Sequence, residues 1–151
     1  MNHISPLLTP DTILLGLTFT DKKQLFEHAG NVFSRQHNLK ATDVFGSLSE
    51  RERLGSTALG YGIAIPHGRI KGLHQAAGVL YRLQTPLEFD APDHQLVTLC
   101  FFLLVPKEAN EEHLQILGEL AQLFGDETMR SRLLNAQSAA EIHTLISTWV
   151  A

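Results

Sequence analysis

Eight histidines are spread through the 151 residues of this chain: His3, His28, His37, His67, His74, His94, His113 and His143. An imidazole can hold a metal, move a proton or act as a nucleophile near neutral pH, so spacing and context decide which chemistry is open. Zinc sites that can be read from sequence use histidines four apart on a helix, or closely paired cysteines. The chain has neither, and its nearest pair is His67 and His74, with Gly68 and Gly72 between them. The spacing therefore gives metal binding no support.

Context separates the eight. His28, His37 and His143 fall on expected helices beside polar residues and read as solvated or rim side chains. His3 belongs to an expected frayed end, His94 follows Pro92-Asp93 in a loop, and His74 trails the glycine-rich region. His67 stands in Gly62-Ile-Ala-Ile-Pro-His-Gly-Arg69. A short apolar strand delivers the chain there and Pro66 stops the ladder. The imidazole then projects from a rigid support, with Gly68 removing bulk beside it. Local physics leaves two readings open, a working imidazole and an ordinary turn histidine. His113 is expected in the first turn of a helix, where unpaired N–H groups and the positive dipole end favour an anion. Leu117, Ala121 and Phe124 follow it at helical spacing, which puts it at the edge of a core-facing stripe. On this context alone, a capping or core-edge histidine is the favoured reading.

Other chemistries lack their residues. Ile65 occupies the place where a dinucleotide fingerprint starting at Gly60-Tyr-Gly62 needs glycine. The chain has no GxxxxGK[ST] loop and no GxSxG elbow. Cys100 sits inside a run that reads as a buried strand and is expected to pack rather than react. Glu111 and Glu112 form a carboxylate pair that the helix dipole already explains.

The elements that must position these residues fit one domain, residues 1–151 with a core over about 7–150. The chain is 16.8 kDa, with 44% hydrophobic and 19% charged residues, so a packed core is expected. Sixteen acids against 12 bases give a net charge of −4, which argues against wide nucleic-acid contact. A single cysteine excludes an intrachain disulfide and fits a reducing cytoplasm. The start of the chain lacks the pattern of a signal peptide. The longest apolar run, Leu96 to Val105, is too short to span a bilayer and reads as a strand buried on both faces.

Thr20 is expected to cap a helix running to His37, with Leu25, Phe26, Ala29, Val32 and Phe33 as its apolar stripe. Thr42 or Asp43 is expected to cap a second helix, ended by Gly55. Ala77–Leu83 reads as a strand, and 85–95, with two prolines, as loop or hairpin. Asn110 is expected to cap a helix whose stripe is Leu114, Leu117, Ala121 and Phe124. Gly125-Asp126 separates it from a helix carrying Met129, Leu133 and Leu134. Ser138 and Glu141 form a capping box ahead of a last helix burying Ile142, Leu145, Ile146 and Trp149. The order predicts an α/β (α+β) domain with a small mixed central sheet flanked by helices.

The run Arg51-Glu-Arg-Leu-Gly-Ser-Thr-Ala-Leu-Gly-Tyr-Gly-Ile-Ala-Ile-Pro-His-Gly-Arg69 resembles the signature of EIIA domains of the bacterial phosphotransferase system, fructose/mannitol class. The resemblance continues through Phe89-Asp-Ala91, Leu104-Val-Pro106 and His113-Leu114, ending at Leu117. Within the class, Gly55-Ser-Thr57 looks most like the nitrogen-regulatory members. Ala58 and Tyr61 depart from the usual pattern without removing a functional group, and Tyr61 stands where docking at the rim is affected.

The resemblance implies a phosphohistidine carrier rather than a free-standing small-molecule enzyme. His67 would accept a phosphoryl group on Nε2 from an HPr-like phosphocarrier, with His113 in support and Arg51 neutralising charge. The carrier would then regulate target proteins or, in a sugar-transport role, pass phosphate to an EIIB domain. A cytoplasmic location is implied, with no cofactor, metal, nucleic acid or membrane insertion. The chemistry is coherent, because transfer from one imidazole to another needs in-line approach and charge neutralisation more than a strong base. Arginine suits that second task through its fork of donors. Ser56, Thr57 and the backbone amides of the glycine-rich passage are further expected phosphate ligands.

Overall fold

The structure is a computed structural model that describes residues 2–108 and 111–150. Asn110, expected to cap a helix, lies outside the described residues.

One mixed sheet carries the fold. Its strands are β1 (Ile13–Leu17), β2 (Ala58–Gly60), β3 (Ile63–Ala64), β4 (His67–Ile70), β5 (Ala77–Leu87) and β6 (Val97–Pro106), in the order β1-β5-β6-β3-β2, with β4 also on β6. β5 and β6 form the antiparallel centre, with Val79 opposite Phe102 and Tyr81 opposite Cys100. β3 and β4 both run parallel to β6, Ile63 opposite Leu99 and His67 opposite Leu103. They are thus two pieces of one interrupted strand. Parallel and antiparallel pairs together make the mixed α/β sheet expected from the element order.

Side chains alternate along β6, and both faces are covered. Cys100, Phe102 and Leu104 join a layer built by α1 (Lys22–His37) and α2 (Ala41–Arg53). Leu99, Phe101 and Leu103 join a second layer under α3 (Glu111–Gly125), α4 (Glu127–Asn135) and α5 (Ala139–Thr148). No helix among the described residues is long and apolar enough to cross a membrane.

Several expected boundaries shift for physical reasons. Asp21, not Thr20, caps α1, its carboxylate accepting from the Gln24 amide at 2.9 Å. Neither Thr42 nor Asp43 caps α2, since the helix starts two or three residues earlier, after Lys40 and without a side-chain cap. β5 continues to Leu87 through the exposed Pro86, beyond a register shift after Arg82. β1, a short leucine-rich run interrupted by Gly16, was not evident from periodicity. The buried stripe of α3 is Ile116, Leu120, Leu123 and Phe124, while Leu114 and Ala121 are exposed. Ser138 caps α5, but the Glu141 carboxylate reaches the Gln137 amide instead of closing a box on Ser138. The N-terminal segment is not frayed. The Asn2 amide donates to the carbonyls of Ile146 at 2.8 Å and Trp149 at 2.9 Å, and Ile4 is fully buried.

Candidate functional site

His67 opens β4, two residues after the interrupted strand leaves its ladder. The imidazole therefore stands where the strand resumes, not at its end. Proline has no N–H to donate, although the Pro66 carbonyl still accepts from the Leu103 amide at 2.9 Å. The interruption leaves the Ile65 carbonyl 2.9 Å from His67 Nδ1. A carbonyl oxygen only accepts, so Nδ1 carries the ring proton and Nε2 keeps its lone pair. The neutral ring is thereby fixed in one tautomer and one orientation.

Gly68 is needed for a different reason from the expected one. A Cβ there would meet Ser47 Oγ at 2.4 Å and the Ser47 carbonyl carbon at 3.2 Å. The missing side chain lets α2 pack against β4, and Ser47 Oγ donates to the Arg69 carbonyl at 2.7 Å. This contact sets the helix that carries Arg51 beside the strand that carries His67.

His67 lines two adjoining hollows. The larger, of about 670 Å³, is also lined by Arg51, Leu54, Arg69, His113 and Leu114. The smaller, of about 220 Å³, shares Arg51, His67 and Leu117 and adds Ser56, Thr57 and Leu59. Residues far apart in sequence, Arg51, His67 and His113, are thus brought to one cleft. Arg51 lies in the last turn of α2, where a cation suits the helix dipole, and its Nη1 donates to the Gly55 carbonyl at 2.9 Å. That bond anchors one arm of the guanidinium fork. His113 is half-buried in the first turn of α3, as its context suggested. Glu50 and Glu111 line the cleft beside Arg51 and Arg69, so its charge is mixed rather than purely basic.

Ser56 and Thr57, expected as phosphate ligands, both use their hydroxyls inside the chain. The Ser56 hydroxyl donates to the Phe89 carbonyl and accepts from the Ala58 amide at 3.1 Å. The Thr57 hydroxyl donates to Glu52 Oε1 at 2.5 Å, and Thr57 is buried. Each hydroxyl proton is committed within the protein, so these residues shape the wall of the smaller hollow.

Two features escaped the sequence reading. Glu52 has a buried carboxylate that pairs with Lys22 at 3.0 Å, a partner from another helix that local spacing cannot reveal. The cleft also has an apolar rim, in which Leu54 is 86% and Leu114 64% exposed. Its only sequence signal was a leucine just past a helix end and an α3 with more apolar positions than one buried stripe requires.

The remaining histidines stay outside the cleft. His28 Nδ1 lies 2.6 Å from the Tyr81 hydroxyl, and burial followed by the nearby Arg35 charge lowers its pKa. His143 Nε2 meets the Leu8 carbonyl at 3.2 Å, and His3 pairs with Glu119. Among the described residues, no group of three His, Cys, Asp or Glu side chains is placed to hold a metal ion. Cys100 is fully buried, which pushes its thiol pKa up and keeps the thiol protonated.

Comparison with known proteins adds an independent line. Residues 6–149 match the family described as phosphoenolpyruvate-dependent sugar phosphotransferase system, EIIA 2. A nitrogen regulatory protein of Pseudomonas aeruginosa is 36% identical over 97% of this chain and 96% of its own length. The crystal structure of nitrogen regulatory protein IIA-Ntr from Neisseria meningitidis superposes with a TM-score of 0.91. It is 43% identical and covers 96% of this chain and 99% of that one. The mannitol enzyme IIA of Escherichia coli, solved in complex with its phosphorylated enzyme IIB, shares the fold with a TM-score of 0.79. It is 22% identical, over 94% of this chain and 98% of that one.

Proposed function

Since the chain belongs to the EIIA 2 family of the phosphoenolpyruvate-dependent sugar phosphotransferase system, we propose that it is a regulatory phosphocarrier of the nitrogen-related branch. It takes a phosphoryl group on His67 from a phosphohistidine of an HPr-like carrier and regulates target proteins according to its phosphorylation state. The observation that carries the assignment of His67 is the Ile65 carbonyl, which holds the ring proton on Nδ1 and leaves Nε2 as the nucleophile.

The transfer balances without an external acid or base. The N–P bond of the donor breaks and its electron pair returns to the donor imidazole. The Nε2 lone pair of His67 forms the new N–P bond. The proton on Nδ1 stays in place, and its bond to Ile65 stabilises the positive charge that develops on the ring. Arg51, with one arm anchored on Gly55, meets phosphoryl oxygens with the rest of its fork. His113, on the opposite wall of the cleft, supports the phosphoryl group as it arrives. The apolar rim of Leu54, Leu114 and Leu117 excludes water around a labile bond.

Phosphorylation adds about −1.5 to −2 charges in the middle of this rim, taking phosphoamino acids as the guide. A partner that docks on the neutral rim is then repelled or attracted according to its own charge, which converts a carrier into a regulator.

The test is incubation with phosphoenolpyruvate, enzyme I and an HPr-type carrier. The expected result is one acid-labile phosphate per chain, absent from His67→Ala. An unlabelled wild-type chain beside a relay that labels a known EIIA would overturn the proposal. Equal labelling of His67→Ala would remove His67 as the acceptor. Rapid chase of the phosphate onto an EIIB domain would move the protein to sugar transport.

A further inference from the structure

A continuous line of hydrogen bonds runs from a partly buried ion pair to the His67 ring. Lys22 Nζ, at the start of α1, donates to Glu52 Oε2 at 3.0 Å. The Thr57 amide donates to the same oxygen at 3.2 Å, and the Thr57 hydroxyl donates to Oε1. The Thr57 carbonyl accepts from the Ile65 amide at 3.0 Å. The Ile65 carbonyl accepts from His67 Nδ1 at 2.9 Å. Two residues, Thr57 and Ile65, each engaged through both backbone N–H and C=O, carry the line across the gap between α2 and β4.

We infer that Glu52, held by Lys22, is a positioning residue for His67, acting through Thr57 and Ile65. This rests on the assignment of His67 as the phosphoryl acceptor. The physical case is that the Ile65 carbonyl selects the tautomer, so whatever fixes that carbonyl fixes the nucleophile. Ile65 lies in the interruption between β3 and β4 and lacks the regular ladder on both of its sides. Its amide is held by Thr57, and Thr57 is held twice by Glu52. The Glu52 side chain is 8% exposed, so its bonds form in a medium of low dielectric constant, where they hold geometry firmly. Glu52 also neighbours Arg51, whose guanidinium meets the Gly55 carbonyl inside the loop that Glu52 and Thr57 close. One carboxylate therefore registers both the cationic and the nucleophilic wall of the cleft.

A purely structural ion pair would affect stability and nothing else, so the test needs a readout at the ring. We expect Thr57→Val, which keeps shape and loses the hydroxyl, to slow phosphorylation of His67 by tenfold or more, the scale of a displaced reacting group. In the same variant, the imidazole nitrogen signals of His67 should show a mixture of ring tautomers instead of one Nδ1–H form. Thr57→Ser restores the hydroxyl and should restore both. Glu52→Gln and Lys22→Met should reproduce the mixture with smaller rate losses. Should Glu52→Gln fail to fold, Thr57→Val alone decides. A folded Thr57→Val with wild-type rate and a single tautomer overturns the inference. If wild type itself takes no phosphate, the assignment of function fails, while the tautomer signals still show whether Thr57 holds the ring.

Discussion

The β5–β6 hairpin and the β2–β3–β4 run lie side by side in one sheet but are built on opposite terms. The hairpin is long and buried on both faces. Phe101, Phe102, Leu103 and Leu104 are all fully enclosed. The neighbouring run has strands of three, two and four residues, separated by a tight turn and a proline. Its turn holds Tyr61 at φ 59° between glycines at 95° and 62's 79°. Over Ala77–Arg82 the hairpin is a regular ladder, and its middle is closed in by neighbouring strands. The interrupted run leaves a carbonyl free of the ladder, and that carbonyl orients the His67 imidazole at the cleft. Regularity provides the support, and its local failure provides the chemistry.

The comparison can be broken at either end. The largest effect is expected in the hairpin. Phe102→Ala should cost about 3–5 kcal/mol in denaturant unfolding, the range for emptying an aromatic core site. The fraction that remains folded should still take phosphate at the normal rate. A folded variant with impaired transfer would show that the hairpin shapes the site and does not merely support it. Gly68→Ala comes next, at about 1–3 kcal/mol for overpacking against Ser47. Adding Ser47→Ala should recover part of that loss, because the nearest contact is Ser47 Oγ. Full independence of the two substitutions would remove the α2–β4 contact from the account.

A smaller effect is expected from pH. His28 binds protons less readily folded than unfolded. The unfolded chain therefore holds more protons between the lowered value and the ordinary one near 6.5, and stability falls as pH drops through that interval. His28→Gln should flatten part of this fall in unfolding curves taken from pH 7 to 5. His37, also lowered by burial, should account for a further share. An unchanged slope in the variant would exclude His28 as a source. The smallest effect should be Tyr61→Gly. Relief of the left-handed backbone gains about 1 kcal/mol, and loss of the Arg130 guanidinium stacked 4.2 Å over the ring costs about as much. A change beyond about 0.5 kcal/mol either way would show that one of these terms dominates.

The same contrast governs what could be read in advance. The strand expected at Leu96–Val105 is observed one residue on, at Val97–Pro106, because an uninterrupted apolar run has few alternatives. The helix stripes of α1 and α5 were legible for the same reason: each has one buried face. α3 was misread by two positions because it carries two apolar faces, one for the core and one for the cleft. The short strands were illegible or only partly legible, since two or three residues bear no period. The strand break at Pro66 was visible, but not that the strand resumes at His67. The grouping of Arg51, His67 and His113 came from resemblance and not from spacing. The internal partners of Ser56 and Thr57 were not legible, because a hydroxyl in sequence does not disclose which acceptor already has its proton. Glu52 was overlooked because its partner lies on another helix.

The double burial of β6 has one more consequence. In a sheet with one wet face, a slip of one residue is forbidden by polarity, since it would turn the apolar set toward water. Here both faces are apolar, and a slip would only exchange one greasy set for the other. Shape must then do the policing. Gly78 faces the Phe101 ring so closely that a Cβ would lie 2.8 Å from Cζ. The alignment of the central strands is in this sense keyed like a lock, by a notch and a tooth of matching volume.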